Sequence, residues 1–301
     1  MAPKLPTRLK ADGLGRPQAL AVELARAGRS VVIAAGTSDP PRGYEIPVAE
    51  AAAGTHVGEA ARPGTSILLF PSRDLAGAAL RSLDAWDVPG LRTGAYDGKA
   101  GRLERARMRR TATVVFTNPA MLHRGLLPHH DLWASFLSRL RYIVIDDLTA
   151  FGDVGGNHVA HVVRRLHRLA HHYGADPTFV CCSPGVGQPT RLAEILCGVG
   201  FDAVRDGPPS DPPGGAPPCA AAALEFPDIA DAPVLCAQLR CAAYELPLTH
   251  ADARYWPDTL DDGVRLLVLD NQVVIRQRRS WLGVEAVYCG GGWPAGDMPL
   301  T

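Results

Sequence analysis

The segment Arg141–Phe151, RYIVIDDLTAF, constrains the fold of this chain more than any other. Tyr142-Ile143-Val144-Ile145 is an unbroken apolar run, three of its four residues β-branched, and it leads straight into Asp146 and Asp147. A run of this kind reads as a strand buried on both faces, the habit of parallel sheets covered by helices on each side. Carboxylates placed directly after such a strand fall at the carboxyl edge of the sheet, where open α/β folds bind their ligands.

Runs of the same character recur. Residues 30–34, 66–70, 113–116 and 178–182 read as further strands, and residues 17–28, 48–61, 75–86, 131–140, 158–173 and 190–196 as helices between them. Strands alternating with helices predict a parallel α/β domain over residues 1–205. Residues 206–225 break the pattern with six prolines and three glycines in twenty positions, and read as a linker. Beyond it, a helix at 234–244, a helical or mixed stretch at 260–269 and β-rich stretches at 272–276 and 281–288 predict a small winged-helix-like module over residues 226–301.

Charge is balanced overall, with 31 Lys+Arg against 31 Asp+Glu, so no global basic bias points to nucleic acid. The distribution is uneven: residues 226–301 hold 6 basic and 10 acidic residues, and the rest of the chain holds 25 and 21. Any phosphate-backbone binding is therefore expected from local patches in the first domain. The seven cysteines show no CxxC spacing, which predicts reduced, buried thiols and a cytoplasmic protein. No apolar run approaches the ~18 residues of a membrane span, so no membrane partner is expected.

A group of short motifs carries a family resemblance. In order they are Phe70-Pro71-Ser72-Arg73-Asp74-Leu75-Ala76, Tyr96-Asp97-Gly98, Thr117-Asn118-Pro119-Ala120-Met121-Leu122-His123, Asp146-Asp147-Leu148-Thr149 and Cys181-Cys182-Ser183-Pro184-Gly185. Any one alone is weak. Together they make residues 1–205 resemble the first RecA-like domain of superfamily 2 DEAD/DEAH-box DNA helicases of the bacterial mitomycin-repair type. Residues 234–288 resemble that family's winged-helix-like accessory domain. The resemblance implies a RecA-like, P-loop-NTPase-type parallel sheet. It places Asp146 and Asp147 at the DExH position, where the parent family holds Mg²⁺ and orients the attacking water. It places Gln18, Gly36, Thr37 and Arg42 at the nucleotide. It sets Ser72, Arg73, Thr117 and Asn118 along a DNA strand.

The departures from that pattern are as informative. The phosphate loop should be Gly36–Gly43, reading GTSDPPRG. A working loop wraps phosphates in consecutive backbone N–H groups, adds a lysine and offers Mg²⁺ a hydroxyl. Here Pro40 and Pro41 each lack the N–H, Pro41 stands about where the lysine belongs, and Asp39 brings negative charge. Asp147 replaces a glutamate and sets its carboxylate about 1 Å or more short of the water-orienting position. Thr149 replaces the coupling histidine, and Pro184-Gly185 replaces Ala-Thr. About 75 residues follow the proline-rich join, too few for the family's second RecA-like domain. These changes predict a catalytically degenerate ATPase site, with no ATP or Mg²⁺ held unless Asp146 meets a metal brought by a nucleotide.

Arg107 and Arg109, with Lys99, Arg102, Arg105 and Arg110, form either a basic DNA-facing surface or a solvated helix face. His167 and His171 are four apart, as in some zinc sites. They lack the HExxH glutamate and sit among Arg164, Arg165 and Arg168, so a polar helix face and no metal are expected. The leading expectation is a helicase-like protein that binds DNA through its backbone, or a helicase-related partner, without ATP-driven unwinding. An active helicase subunit completed by another chain, an interaction module and a decaying gene product are the alternatives.

Overall fold

The computed structural model describes residues 15–35, 43–54, 63–152, 155–184, 188–205, 226–280 and 283–291. The DPPR segment and the proline-rich join at 206–225 both lie outside them. Seven strands form one sheet: β1 (Val31–Ala35), β2 (Thr65–Leu69), β3 (Thr93–Ala95), β4 (Val114–Thr117), β5 (Leu140–Ile145), β6 (Thr178–Pro184) and β7 (Asp202–Arg205). Their order is β3-β4-β2-β5-β6-β1-β7, and every neighbouring pair is parallel.

Alternation along the strands explains why the apolar runs are unbroken. In β5, Ile143 and Ile145 face one core together with Val32, Ile67, Leu69 and Phe179. Tyr142 and Val144 face the other, with Val31, Ile33, Leu68 and Val180. A strand buried on both faces has no position where a polar residue meets water. One face is covered by α1 (Arg16–Arg26), α2 (Glu45–Ala53) and α3 (Arg73–Asp84). Helices α7 (Gly156–His172) and α8 (Pro189–Cys197) cover the other, reached past α4 (Arg102–Thr111), α5 (Pro119–Met121) and α6 (Ala134–Leu137).

Two strands escape the sequence pattern, and both lie at sheet edges. β3 is three residues long and only half-buried, and β7 alternates exposed and buried positions, so neither carries the apolar run that marks a central strand. The helix expected at 131–140 is also different. The chain runs from α5 through a π-type turn at Leu122–Leu126 and a 3₁₀ stretch at Leu127–Trp133 into the four-residue α6. Pro128 cannot donate to a continuous helix, and His129 is kinked at φ −120°, ψ 35°.

The C-terminal residues build α9 (Ala232–Glu245), α10 (Leu260–Leu269) and the antiparallel hairpin β8 (Val273–Ser280) and β9 (Gly283–Gly290) around their own core of Leu235, Leu239, Leu248, Trp256 and Leu267. Asp231 caps α9 by accepting from the Val234 N–H at 3.0 Å. Helix α9 packs against α7, on the side of the sheet that α7 and α8 cover.

Candidate functional site

Parallel register gathers the motif residues at one edge. Ile145 pairs with Leu69 and with Cys181, Ala35 with Pro184, and Leu69 with Thr117. The residues that follow these strands therefore come together beside the end of β1: Phe70-Pro71-Ser72 after β2, Asn118 after β4, and Asp146 after β5. Asp146 donates its backbone N–H to the Leu69 carbonyl at 3.0 Å, and Phe70 donates to the Thr117 carbonyl at 3.0 Å, which extends the sheet geometry one residue past the strands.

Asp146 is half-buried at the tip of the central strand. Tyr44, buried at the start of α2, donates its hydroxyl to Asp146 Oδ2 at 3.4 Å. Asp147 takes the left-handed conformation at φ 60°, uncommon for a residue with a side chain. Its Oδ1 accepts the Thr149 hydroxyl at 2.6 Å. The turn then closes through the 3₁₀ stretch Leu148–Phe151 into α7, and Gly156 is needed there: a Cβ would lie 2.4 Å from the Phe151 carbonyl oxygen. Ser183, near the end of β6, is buried. Gln18, on α1, is buried beside Gly43, with its Oε1 lacking a hydrogen-bond partner among the described residues. Gly36, Thr37 and Arg42 lie outside the described residues.

The residues expected along a DNA strand divide. Ser72 is exposed and caps α3, its Oγ accepting from the Leu75 N–H at 3.3 Å. Arg73 is exposed, with its Nε 4.0 Å from Asp97 Oδ2. Asn118 caps α5 by accepting from the Met121 N–H at 2.9 Å. Thr117 departs from its expected role. Its side chain is buried, and its hydroxyl donates to the Tyr96 carbonyl at 2.9 Å, so it holds the Tyr96-Asp97-Gly98 turn instead of meeting a phosphate. On α4 only Met108 is buried. Arg107 is exposed and lines a cleft of about 320 Å³ with Asp84 and Glu104, while Arg109 is half-buried.

The basic run of α7 is the main correction. A polar helix face was expected there, and fourteen of the 17 residues of α7 are buried. Arg165 is completely buried and forms a two-point ion pair with Glu245 of α9, its Nε 3.1 Å from Oε2; it also donates to Gln238 Oε1 at 2.7 Å. Arg168 pairs with Asp252 at 2.7 Å and donates to the carbonyls of Ala242, Leu246 and Pro247. His123, His158 and His161 accept hydrogen bonds at Nδ1 from Arg165, Gln238 and Trp256, at 2.9, 2.9 and 3.0 Å. Glu245, Gln238, Asp252 and Trp256 were not singled out from the sequence. The signal that could have found them is the charge split: acids in excess in the C-terminal part, bases in excess before it.

A seven-stranded parallel sheet with an aspartate at the tip of a central strand defines a RecA-like α/β domain. Comparison with known proteins places it more narrowly. Residues 16–188 match the family model described as DEAD/DEAH box helicase, and the chain belongs to that family. It is 36% identical over 204 residues to the uncharacterized ATP-dependent helicase YprA of Bacillus subtilis, covering 66% of this chain and 26% of the relative. It is 34% identical over 142 residues to the ATP-dependent helicase HRQ1 of Saccharomyces cerevisiae, covering 45% of this chain and 13% of the relative. Among solved structures, the DUF1998 helicase MrfA bound to DNA superposes with a TM-score of 0.61 at 33% identity, over 67% of this chain and 28% of that one. The chain thus spans about a quarter of the length of YprA and of MrfA, and less of HRQ1. Among the described residues no helix is long and apolar enough to cross a membrane.

Proposed function

We propose that this chain is a helicase-type protein that binds nucleic acid through the phosphate backbone and does not hydrolyse ATP on its own. The observation that carries the reading is the hydrogen bond between Thr149 and Asp147. At the DExH position it ties the shortened second carboxylate to its own turn, in place of a glutamate free to orient water and a histidine to couple it. The donor set of the phosphate loop points the same way. Gln18 has an orphaned buried oxygen that suits a ligand's amine, and Asp146 suits Mg²⁺, but Pro40 and Pro41 remove two amides and no lysine follows. These residues do not fit a triphosphate. Exposed Ser72 and Arg73, with Asn118 at the same sheet edge, and exposed Arg107 on α4 are the groups left to meet a DNA backbone.

Titration of the chain with Mg-ATP by calorimetry is expected to give no binding. Fluorescence anisotropy with single- and double-stranded DNA is expected to show binding that weakens steeply with salt. DNA-stimulated ATP hydrolysis abolished by Asp146→Ala would overturn the reading. A second reading, an active helicase subunit completed by a partner chain, draws on the retained Asp146 and on Gln18; nucleotide binding that appears only with that partner would support it. We place either reading in DNA repair, on the resemblance to mitomycin-repair helicases, and in the cytoplasm, on cysteines without CxxC spacing. In both readings residues 206–225 join the RecA-like domain to a winged-helix-like accessory module.

A further inference from the structure

His167 and His171 lie four residues apart on α7 and so share one face, with ring centroids 4.3 Å apart. Asp176 follows the end of the helix, just before β6. Its Oδ1 is 2.9 Å from His171 Nε2 and 3.9 Å from His167 Nε2, and the donor atoms of all three side chains lie within 4.8 Å of one another. A zinc ion held tetrahedrally at about 2.0–2.1 Å spaces nitrogen and oxygen ligands roughly 3.3–3.4 Å apart, a value between those two distances.

Two further observations separate this cluster from chance proximity. His167 Nε2 is buried without a hydrogen-bond partner among the described residues, on a side chain only 9% exposed, although buried polar atoms almost always find one. His171 carries an outer contact of the kind that orients metal-bound imidazoles: its Nδ1 is 2.5 Å from the Tyr255 hydroxyl, leaving Nε2 to face Asp176. The three arginines of α7 are each engaged away from the cluster, and Arg254 is the cation that stays beside it. Arg164 donates to the Ile195 and Leu196 carbonyls, Arg165 pairs with Glu245, Arg168 pairs with Asp252, and Arg254 lies over the Tyr255 ring at 4.7 Å. Asp176 is exposed and leaves the cluster open to solvent.

We propose that His167, His171 and Asp176 bind a zinc-type divalent transition-metal ion, with water in the remaining position and Tyr255 of the C-terminal unit behind His171. The site is independent of the ATP question. The test uses the full chain, reduced and stripped with chelator, titrated with Zn²⁺ by calorimetry and with Co²⁺ by visible absorption. One ion per chain is expected, with cobalt bands of tetrahedral nitrogen and oxygen coordination and no thiolate charge-transfer band. Asp176→Ala, at an exposed position that folding does not need, is expected to weaken zinc binding at least tenfold; Tyr255→Phe, as an outer partner, about tenfold. His167→Gln is expected to abolish the cobalt bands, with circular dichroism to confirm that it folds. Absence of binding by the unaltered chain, affinity unchanged in Asp176→Ala, or a thiolate band showing capture by cysteines would each overturn the site.

Discussion

Helices α4 and α7 look alike as sequence and behave as opposites. Both are rich in cationic or titratable residues: α4 carries Arg102, Arg105, Arg107, Arg109 and Arg110, and α7 carries three arginines and five histidines. Yet α4 buries only Met108, whereas α7 is buried along nearly its whole length. The difference is supplied from elsewhere in the chain. Around α7 stand Gln238, Glu245, Asp252 and Trp256, each contributing the donor or acceptor that a buried Arg or His requires; around most of α4 stands water. A cationic helix is therefore not evidence of a solvated surface until the rest of the chain has been searched for its counter-groups.

The comparison breaks most visibly at Arg165. Removing Glu245 strands a fully buried guanidinium, and losing one member of a buried pair typically costs about 3–5 kcal/mol. Glu245→Ala is expected to lower the unfolding midpoint in urea accordingly. The double variant Arg165→Met, Glu245→Leu is expected to recover most of that loss, since a buried pair and an apolar substitute of similar volume are often close in stability. If Glu245→Ala alone changes stability by no more than a surface substitution does, the docking of α9 on α7 is wrong.

Acid is expected to act on the same interface. His123, His158 and His161 are pushed down to about 3, 4 and 3, chiefly by burial, with Arg165 next for the first two and Arg164 for the third. Their geometry agrees, because each Nδ1 accepts from a donor and must be unprotonated. Above the ordinary histidine value of about 6.5 the groups are neutral folded or unfolded and do not bias the equilibrium. As pH falls from about 6.5 towards 4, the unfolded chain takes up protons that the folded chain refuses. Stability should then drop by up to about 1.4 kcal/mol per pH unit for each histidine. Urea midpoints measured from pH 7.5 to 4.5 check this; His161→Phe, which cannot take a proton, should flatten the slope.

How much was legible in the sequence follows from the same physics. β1, β2, β4, β5 and β6 declare themselves because a strand buried on both faces is apolar at most of its positions, and Asp146 declares itself by ending one. β3 and β7 do not, since an edge strand shares its composition with a loop. Thr117 looked like a phosphate ligand because a hydroxyl in a motif shows its chemistry but not its direction; its bond to the Tyr96 carbonyl emerges only once β3 and β4 pair. The α7 interface was least legible of all. Arg165 meets Glu245 across 80 residues, and no local periodicity encodes such a contact.

The smallest stability effect is expected on α4, and there the other half of the comparison sharpens. Arg107 and Arg110 are exposed, and neither anchors a core contact, so replacing either with alanine should shift stability by less than about 0.5 kcal/mol. If these arginines meet DNA phosphates, each replacement should weaken binding similarly across sequences and reduce the salt slope by about one. Arg105 is the internal control on the same helix. Its Nε donates to the Ala100 carbonyl at 2.8 Å and its guanidinium lies 5.8 Å from the Tyr96 ring centre, so Arg105→Ala should disturb folding more than DNA binding. A reversed pattern, with Arg107→Ala costing stability and leaving the salt slope untouched, would mean that α4 too has counter-groups, and that Asp84 and Glu104 across the cleft are among them.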